Sequence, residues 1–137
     1  MDRPDLIIEE YPFDDGLIVS STDLEGIITY TNRKFYDISG YTKEELIGKA
    51  HNIIRHPDMP KVLFSQLWET IHKGNEWTGV LKNLRKDGKY YWAYVHISPI
   101  ISDAKTTGFT AAARPASVME IKESATLCHD LLEKERK

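Results

Sequence analysis

The sequence predicts an α+β domain, an antiparallel sheet with its helices gathered on one face. Three observations carry this. Two short β-rich runs open the chain and three longer ones fill its second half. Helical segments lie between the two sets. Asp23-Leu24-Glu25-Gly26 and Asp87-Gly88 are hairpin-type turns, which join antiparallel neighbours.

At 137 residues the chain is bounded to about one domain. With 41% hydrophobic, 28% charged and 10% aromatic residues, it is globular in composition. A net charge of -3 gives no general electrostatic footprint for nucleic acid. Cys128 is the only cysteine, so one chain holds neither a disulfide framework nor a thiolate zinc site. No apolar run approaches the roughly 20 residues that span a bilayer. Residues 1–10 lack a signal-peptide core. These features predict a cytoplasmic domain with no direct membrane insertion.

The elements follow in order. Residues 1–16, with Leu6, Ile7 and Ile8 ahead of Tyr11-Pro12-Phe13, form an N-terminal cap segment. Leu17–Ser21 and Ile27–Tyr30 are strands. Asn32 caps a short helix through Ser39, which Gly40 stops. Thr42 and Glu45 form a capping box for a one-turn helix ending at Gly48. His51 to Met59 is a polar loop or broken helix. Pro60 opens a longer helix, with Leu63, Phe64, Leu67, Trp68 and Ile71 on one stripe and Gly74 as its stop. Glu76–Leu84, Lys89–Ile100 and Gly108–Arg114 are strands. From Ser117, Val118, Ile121, Ala125, Cys128 and Leu132 recur at spacings of three and four, a heptad-like stripe about two heptads long.

The segment His51-Asn52-Ile53-Ile54-Arg55-His56-Pro57-Asp58-Met59-Pro60 concentrates two imidazoles, a guanidinium, a carboxylate and an amide. Arg55 offers a planar fork to a phosphate or carboxylate. The bland alternative is a loop tied by an Arg55–Asp58 pair with His56 on the surface. His56 and Asp58 as an acid–base pair would need a nucleophile, and none has a distinctive context. His51 and His56 as metal ligands lack an obvious third. The residues therefore do not point to an enzyme.

Alternation in the strand after Gly74 places Trp77, Gly79, Leu81 and Asn83 on one face, with Lys82 facing out. Asn83 is then an amide at the rim of the interior, which needs a hydrogen-bond partner from the backbone or a bound heterocycle. Ala93, Ala111, Ala112 and Ala113 make the neighbouring strands small. The interior is either packed by large helix residues or hollow.

Several stretches together resemble a PAS domain over roughly residues 17–115. They are Ser39-Gly40-Tyr41-Thr42 through Leu46-Ile47-Gly48, then Lys86-Asp87-Gly88 and Tyr91-Trp92. The block from His51 to Pro60, with Phe64, Leu67-Trp68, Trp77-Thr78-Gly79 and Lys82-Asn83, is narrower. It resembles the PAS sensor domain of Aer-type aerotaxis receptors, although Ala50 stands where that block commonly has proline. The resemblance implies a PAS fold: a five-stranded antiparallel sheet with short helices on one face and flanking N- and C-terminal helices. It divides the chain into a cap at 1–16, a sensor at 17–116 and a linker helix at 117–137.

The resemblance further implies FAD as cofactor, with FMN or haem as alternatives, and sensing of redox or energy state for motility. Carried over by motif position, the cofactor contacts are Asn32, Arg55, His56, Asp58, Phe64, Trp68 and Asn83, with Trp77 beside them. It implies a chemotaxis receptor signalling or HAMP module as partner, in cis or in trans. The chain would thus be an excised receptor domain or a separate PAS protein, membrane-associated through the missing portion or a partner. The heptad-like stripe allows a homodimer or a cofactor-free docking module. Light-sensing LOV relatives carry a cysteine in an Asn-Cys-Arg context, where this chain has Asn52-Ile53-Ile54-Arg55. A haem would need an axial histidine from His51, His56, His72 or His96, of which His96 is expected to face away and His72 to be solvated.

Overall fold

The computed structural model describes residues 4–135. Strands β1 (Ile18–Asp23) and β2 (Ile28–Thr31) form the first hairpin. Helices α1 (Arg33–Ser39) and α2 (Lys43–Leu46), a 3₁₀ turn at His51–Ile54 and helix α3 (Lys61–His72) follow. Strands β3 (Trp77–Leu84), β4 (Tyr90–Ser102) and β5 (Lys105–Pro115) lead to helix α4 (Val118–Glu135). All five strands make one antiparallel sheet in the order β2-β1-β5-β4-β3. None of the described helices is long and apolar enough to cross a membrane.

Local chemistry accounts for the element ends. The Asn32 side chain accepts from the Phe35 amide at 3.2 Å and the Val19 amide at 3.1 Å, and donates to the Leu17 carbonyl at 2.9 Å. One amide thereby starts α1 and ties it to β1. The Thr42–Glu45 capping box is reciprocal. Arg85 is a buried guanidinium that donates to the Ile38 carbonyl at the end of α1 (2.6 Å), pairs with Asp87 (3.0 Å) and stacks on Tyr11 (3.7 Å). It locks the α1 terminus, the β3–β4 turn and the N-terminal segment into one cluster.

Residues 4–16 contain no helix, which corrects the expected N-terminal flanking helix. The reason is a backbone pairing. Ile7 donates to the Gly88 carbonyl, Tyr90 to that of Glu9, and Tyr11 to that of Tyr90. A helix would withdraw those donors and acceptors from the β3–β4 turn. β4 and β5 also run longer than predicted, to a tight turn at Asp103 and Ala104, both with positive φ.

β3 is a terminal strand, and its edge is covered. Arg55 forms an isolated bridge to Asn83. From α4, the Ser124 hydroxyl donates to the Val80 carbonyl at 3.2 Å. Only part of the heptad-like stripe docks. Cys128 is buried with its Sγ 3.9 Å from the Met59 Sδ, whereas Val118 and Ala125 are exposed. At the far end of α4, the Glu135 carboxylate accepts from the Lys61 and Val62 amides (3.3 and 3.2 Å). Pro60 offers α3 no side-chain cap, so Glu135 supplies it.

Candidate functional site

Between the sheet and helices α1 and α3 lies a cavity of about 120 Å³ that opens to solvent. Strand alternation builds its floor. Ile18 and Ser20 of β1, Leu81 and Asn83 of β3, Tyr91 and Val95 of β4, and Ala111 and Ala113 of β5 all point to one side. The small β5 residues leave the space that large ones would fill, so the interior is hollow.

The opposite wall is aromatic and comes largely from α3. Phe64, Leu67, Trp68 and Ile71 face the cavity at helical spacing. The Arg55 guanidinium lies 4.4 Å from the centre of the Phe64 ring. The Arg55–Asn83 bridge sets both residues beside each other at one end. Asn83 is buried directly across the ladder from Tyr91, and its amide interacts with the Tyr91 hydroxyl. Burial pushes the Tyr91 phenol well above its ordinary range, which keeps it a neutral donor.

A second polar group faces the cavity from β1. The Ser20 hydroxyl lies 3.1 Å from His51 Nε2, and His51 packs edge-on to Phe35 at 5.9 Å. Burial pushes the His51 imidazole below its ordinary value, so it is held neutral.

Four of the predicted contacts therefore meet at the cavity: Arg55, Phe64, Trp68 and Asn83. The other four lie outside its lining. Asn32 is committed to the α1 cap. Trp77 lies over Gly79, where an added Cβ would meet its indole at 2.4 Å. Asp58 pairs with Lys82 at 3.3 Å. His56 is buried, not on the surface, because Tyr90 packs edge-on against it at 6.2 Å and its Nδ1 accepts from the Asp58 amide at 3.0 Å. His96 is exposed and bonds Glu76 at 2.8 Å.

Ser20 and Tyr91 line the cavity without having been singled out as cofactor contacts, and His51, named only as a candidate metal or haem ligand, lines it with them. Period-two alternation carried the signal for two of them: Ser20 shares a face with Ile18, and Tyr91 pairs with Asn83. His51 needed the fold, since its 3₁₀ turn alone aims it at β1. The Cys128 thiol belongs to α4 and is not part of the lining.

Comparison with known proteins agrees with this architecture. The family model described as PAS fold matches residues 28–111. The aerotaxis receptor of Escherichia coli (strain K12) is 43% identical over 108 residues, covering 79% of this chain and 21% of the receptor. The chain thus spans about a fifth of the length of that relative. Among solved structures, the PAS domain of a protein from Colwellia psychrerythraea is 27% identical with a TM-score of 0.67, covering 73% of this chain and 86% of that one. The light-state LOV structure of the blue-light photoreceptor Aureochrome1 has a TM-score of 0.69 at 17% identity, covering 88% of this chain and 91% of that one, a likeness of fold. The sheet order, the hollow interior and the matched sequence lead to one conclusion: this chain belongs to the PAS-fold family.

Proposed function

We propose that this chain is an FAD-binding sensory domain that reads redox or energy state and relays it to a chemotaxis signalling module. The observation that carries the reading is the composition of the cavity wall. An aromatic face (Phe64, Trp68) stands across from small residues (Ala111, Ala113), with amide, guanidinium and hydroxyl groups at the ends. A planar heterocycle with polar edges and an anionic tail fits that donor set. The 43% identity to a protein named as an aerotaxis receptor supports the output class.

A bound flavin supplies electron uptake and release, which changes the donor and acceptor pattern of its ring edge. The chain's own residues do the rest. Asn83 carries a donor and an acceptor on one amide, so rotation presents either to the ring edge. Arg55 offers its fork to the anionic tail. Trp68 and Phe64 exclude water from the ring face. Asn32, Asp58 and Trp77 act as positioning residues in this reading, holding α1, the Arg55 loop and β3. His56, buried beneath Tyr90, fixes the same loop.

The relay follows from what Asn83 touches. A change at its amide is felt at Arg55 through the bridge and along β3, where Val80 holds α4. A signal requires that the two ligand states differ in contact energy with these groups. The sensor spans 17–116 in this reading and α4 is the linker to a HAMP or signalling module, in cis or in trans, on the cytoplasmic side of a membrane.

The test is the purified chain's visible spectrum with mass identification of the extracted ligand, followed by titration with FAD and FMN. A flavin spectrum and the FAD mass, or saturable FAD binding by a colourless preparation, are expected. A haem spectrum, or no saturable flavin binding, overturns the reading.

A further inference from the structure

Ser20 of β1 and His51 of the 3₁₀ turn form a hydrogen bond on the cavity wall that can run in either direction. The Ser20 Oγ lies 3.1 Å from His51 Nε2, and both residues line the cavity. Burial holds the imidazole neutral, so the ring carries one N–H. In one arrangement Nε2–H donates to the Ser20 oxygen, and the hydroxyl proton is left for the cavity. In the other the hydroxyl donates to Nε2, the ring proton sits on Nδ1, and the Ser20 lone pairs face the cavity. Ser20 therefore presents a donor in the first and an acceptor in the second, with no change of net charge.

The fold fixes both residues and leaves that choice open. Ser20 is buried and held in the sheet between Thr31 of β2 and Ala111 of β5. Ala111 has nothing beyond its Cβ to cover the hydroxyl. The neighbouring Thr31 hydroxyl is itself buried without a partner, so it takes up none of the capacity of Ser20. Among the described residues the partner of the Ser20 hydroxyl is His51 Nε2. His51 is pinned through its backbone. Its amide donates to the Gly26 carbonyl at 3.0 Å, and the preceding Ala50 bridges to Ile27. Its ring packs edge-on to Phe35 at 5.9 Å.

The groups at the Asn83 end of the cavity work differently. Arg55 only donates. Asn83 must turn its amide to exchange donor for acceptor. The Ser20–His51 pair makes the same exchange by moving protons alone, with every heavy atom in place.

We propose that Ser20 is a direct ligand contact and His51 its positioning residue, and that the pair reads one ring nitrogen of the ligand, donating to it when it is bare and accepting from it when it carries hydrogen. The heterocycle suited to such a contact is one whose ring nitrogen gains an N–H on reduction. Ser20 then holds both redox states in the same place, while Asn83, whose amide must turn, carries the difference to β3. The inference rests on the flavin reading for the identity of the ligand, and on the Ser20–His51 geometry for the contact.

The test follows the ring nitrogens of His51 by nitrogen-15 NMR in the FAD-loaded chain, first oxidised and then reduced anaerobically with dithionite. The protonated nitrogen is expected to be Nε2 in the oxidised sample and Nδ1 in the reduced one. Ser20→Ala, which removes the hydroxyl and keeps the strand, holds one tautomer in both. It also binds oxidised and reduced FAD each roughly two- to tenfold more weakly, the size of one hydrogen bond. One His51 tautomer in both wild-type samples overturns the inference, as does a change of tautomer retained in Ser20→Ala. A Ser20→Ala loss confined to one redox state makes Ser20 a fixed contact and overturns it too. The wild-type spectra decide by themselves if the variant does not fold or load. Failure of both proteins to bind FAD overturns the flavin reading instead. Quinoxaline, whose ring nitrogens are bare, and its tetrahydro form, whose nitrogens carry hydrogen, then decide the pair. Opposite His51 tautomers with the two probes support it. One tautomer with both, or binding of neither, overturns it.

Discussion

Arg55 and Asn83 form an isolated antiparallel bridge, and both side chains line the same cavity. The polar loop after the 3₁₀ turn is thereby registered to β3 at the residue whose amide meets Tyr91. Replacing Asn83 with Ala leaves the buried Tyr91 hydroxyl short of a partner. We expect a stability loss of about 1–3 kcal/mol by urea denaturation, together with weaker flavin binding by titration. A variant that binds and unfolds like wild type would show that the amide is idle.

Gly26 is placed by two constraints at once. Its φ is +84°, in the left-handed region, and its Cα abuts the Trp68 indole. Gly26→Ala adds both backbone strain of about 1–2 kcal/mol and a Cβ against the ring. Trp68 must then move, which changes the cavity wall. The expected result is a lowered thermal midpoint and weaker ligand binding, whereas Gly48→Ala, with φ +86° and open space around it, shows the strain without the binding loss. Equal binding by both variants would argue against the Gly26–Trp68 contact as a wall.

The fold was legible where short-range chemistry decides it. Asn32 as a cap, the Thr42–Glu45 box, the α3 stripe and the Asp87-Gly88 hairpin are local, and each stands as read. Alternation on β3 put Asn83 on the cavity face because the pleat has period two. What failed depended on distant partners. The segment before Phe13 pairs with the β3–β4 turn, which nothing in its own composition announces. Within the Arg55 loop, residue types alone could not say which side chains turn inward. Arg55 faces the cavity, but His56 goes beneath Tyr90 and Asp58 to Lys82. Those choices follow from the β3 register, a long-range fact.

Helix α4 ends with Glu135 capping α3 and carries Cys128 against Met59. Removing the acceptor with Glu135→Ala should cost about 0.5–2 kcal/mol, the range of an N-terminal cap. The loss should be local. Faster amide exchange at Lys61 and Val62 is expected, with faster thiol labelling of Cys128, since burial both hides that thiol and pushes its pKa up. Unchanged exchange at these two amides would mean that the carboxylate does not hold α3.

His51 gives the domain an acid sensitivity whose direction is fixed by its burial. Its ordinary value is 6.5, and in the folded chain it is lower because the ring is removed from water. Below about 6.5 the unfolded chain takes up a proton that the folded chain refuses, so unfolding gains protons and stability falls with falling pH. The loss continues until the folded imidazole itself protonates. His51→Gln removes the titration and keeps a side-chain amide that can bond Ser20. Denaturation of the two proteins between about pH 7 and pH 4.5 should show wild type losing stability faster. The remaining histidines are common to both proteins and cancel in the difference. Parallel pH profiles would mean that the imidazole is solvated and free to charge in the folded chain.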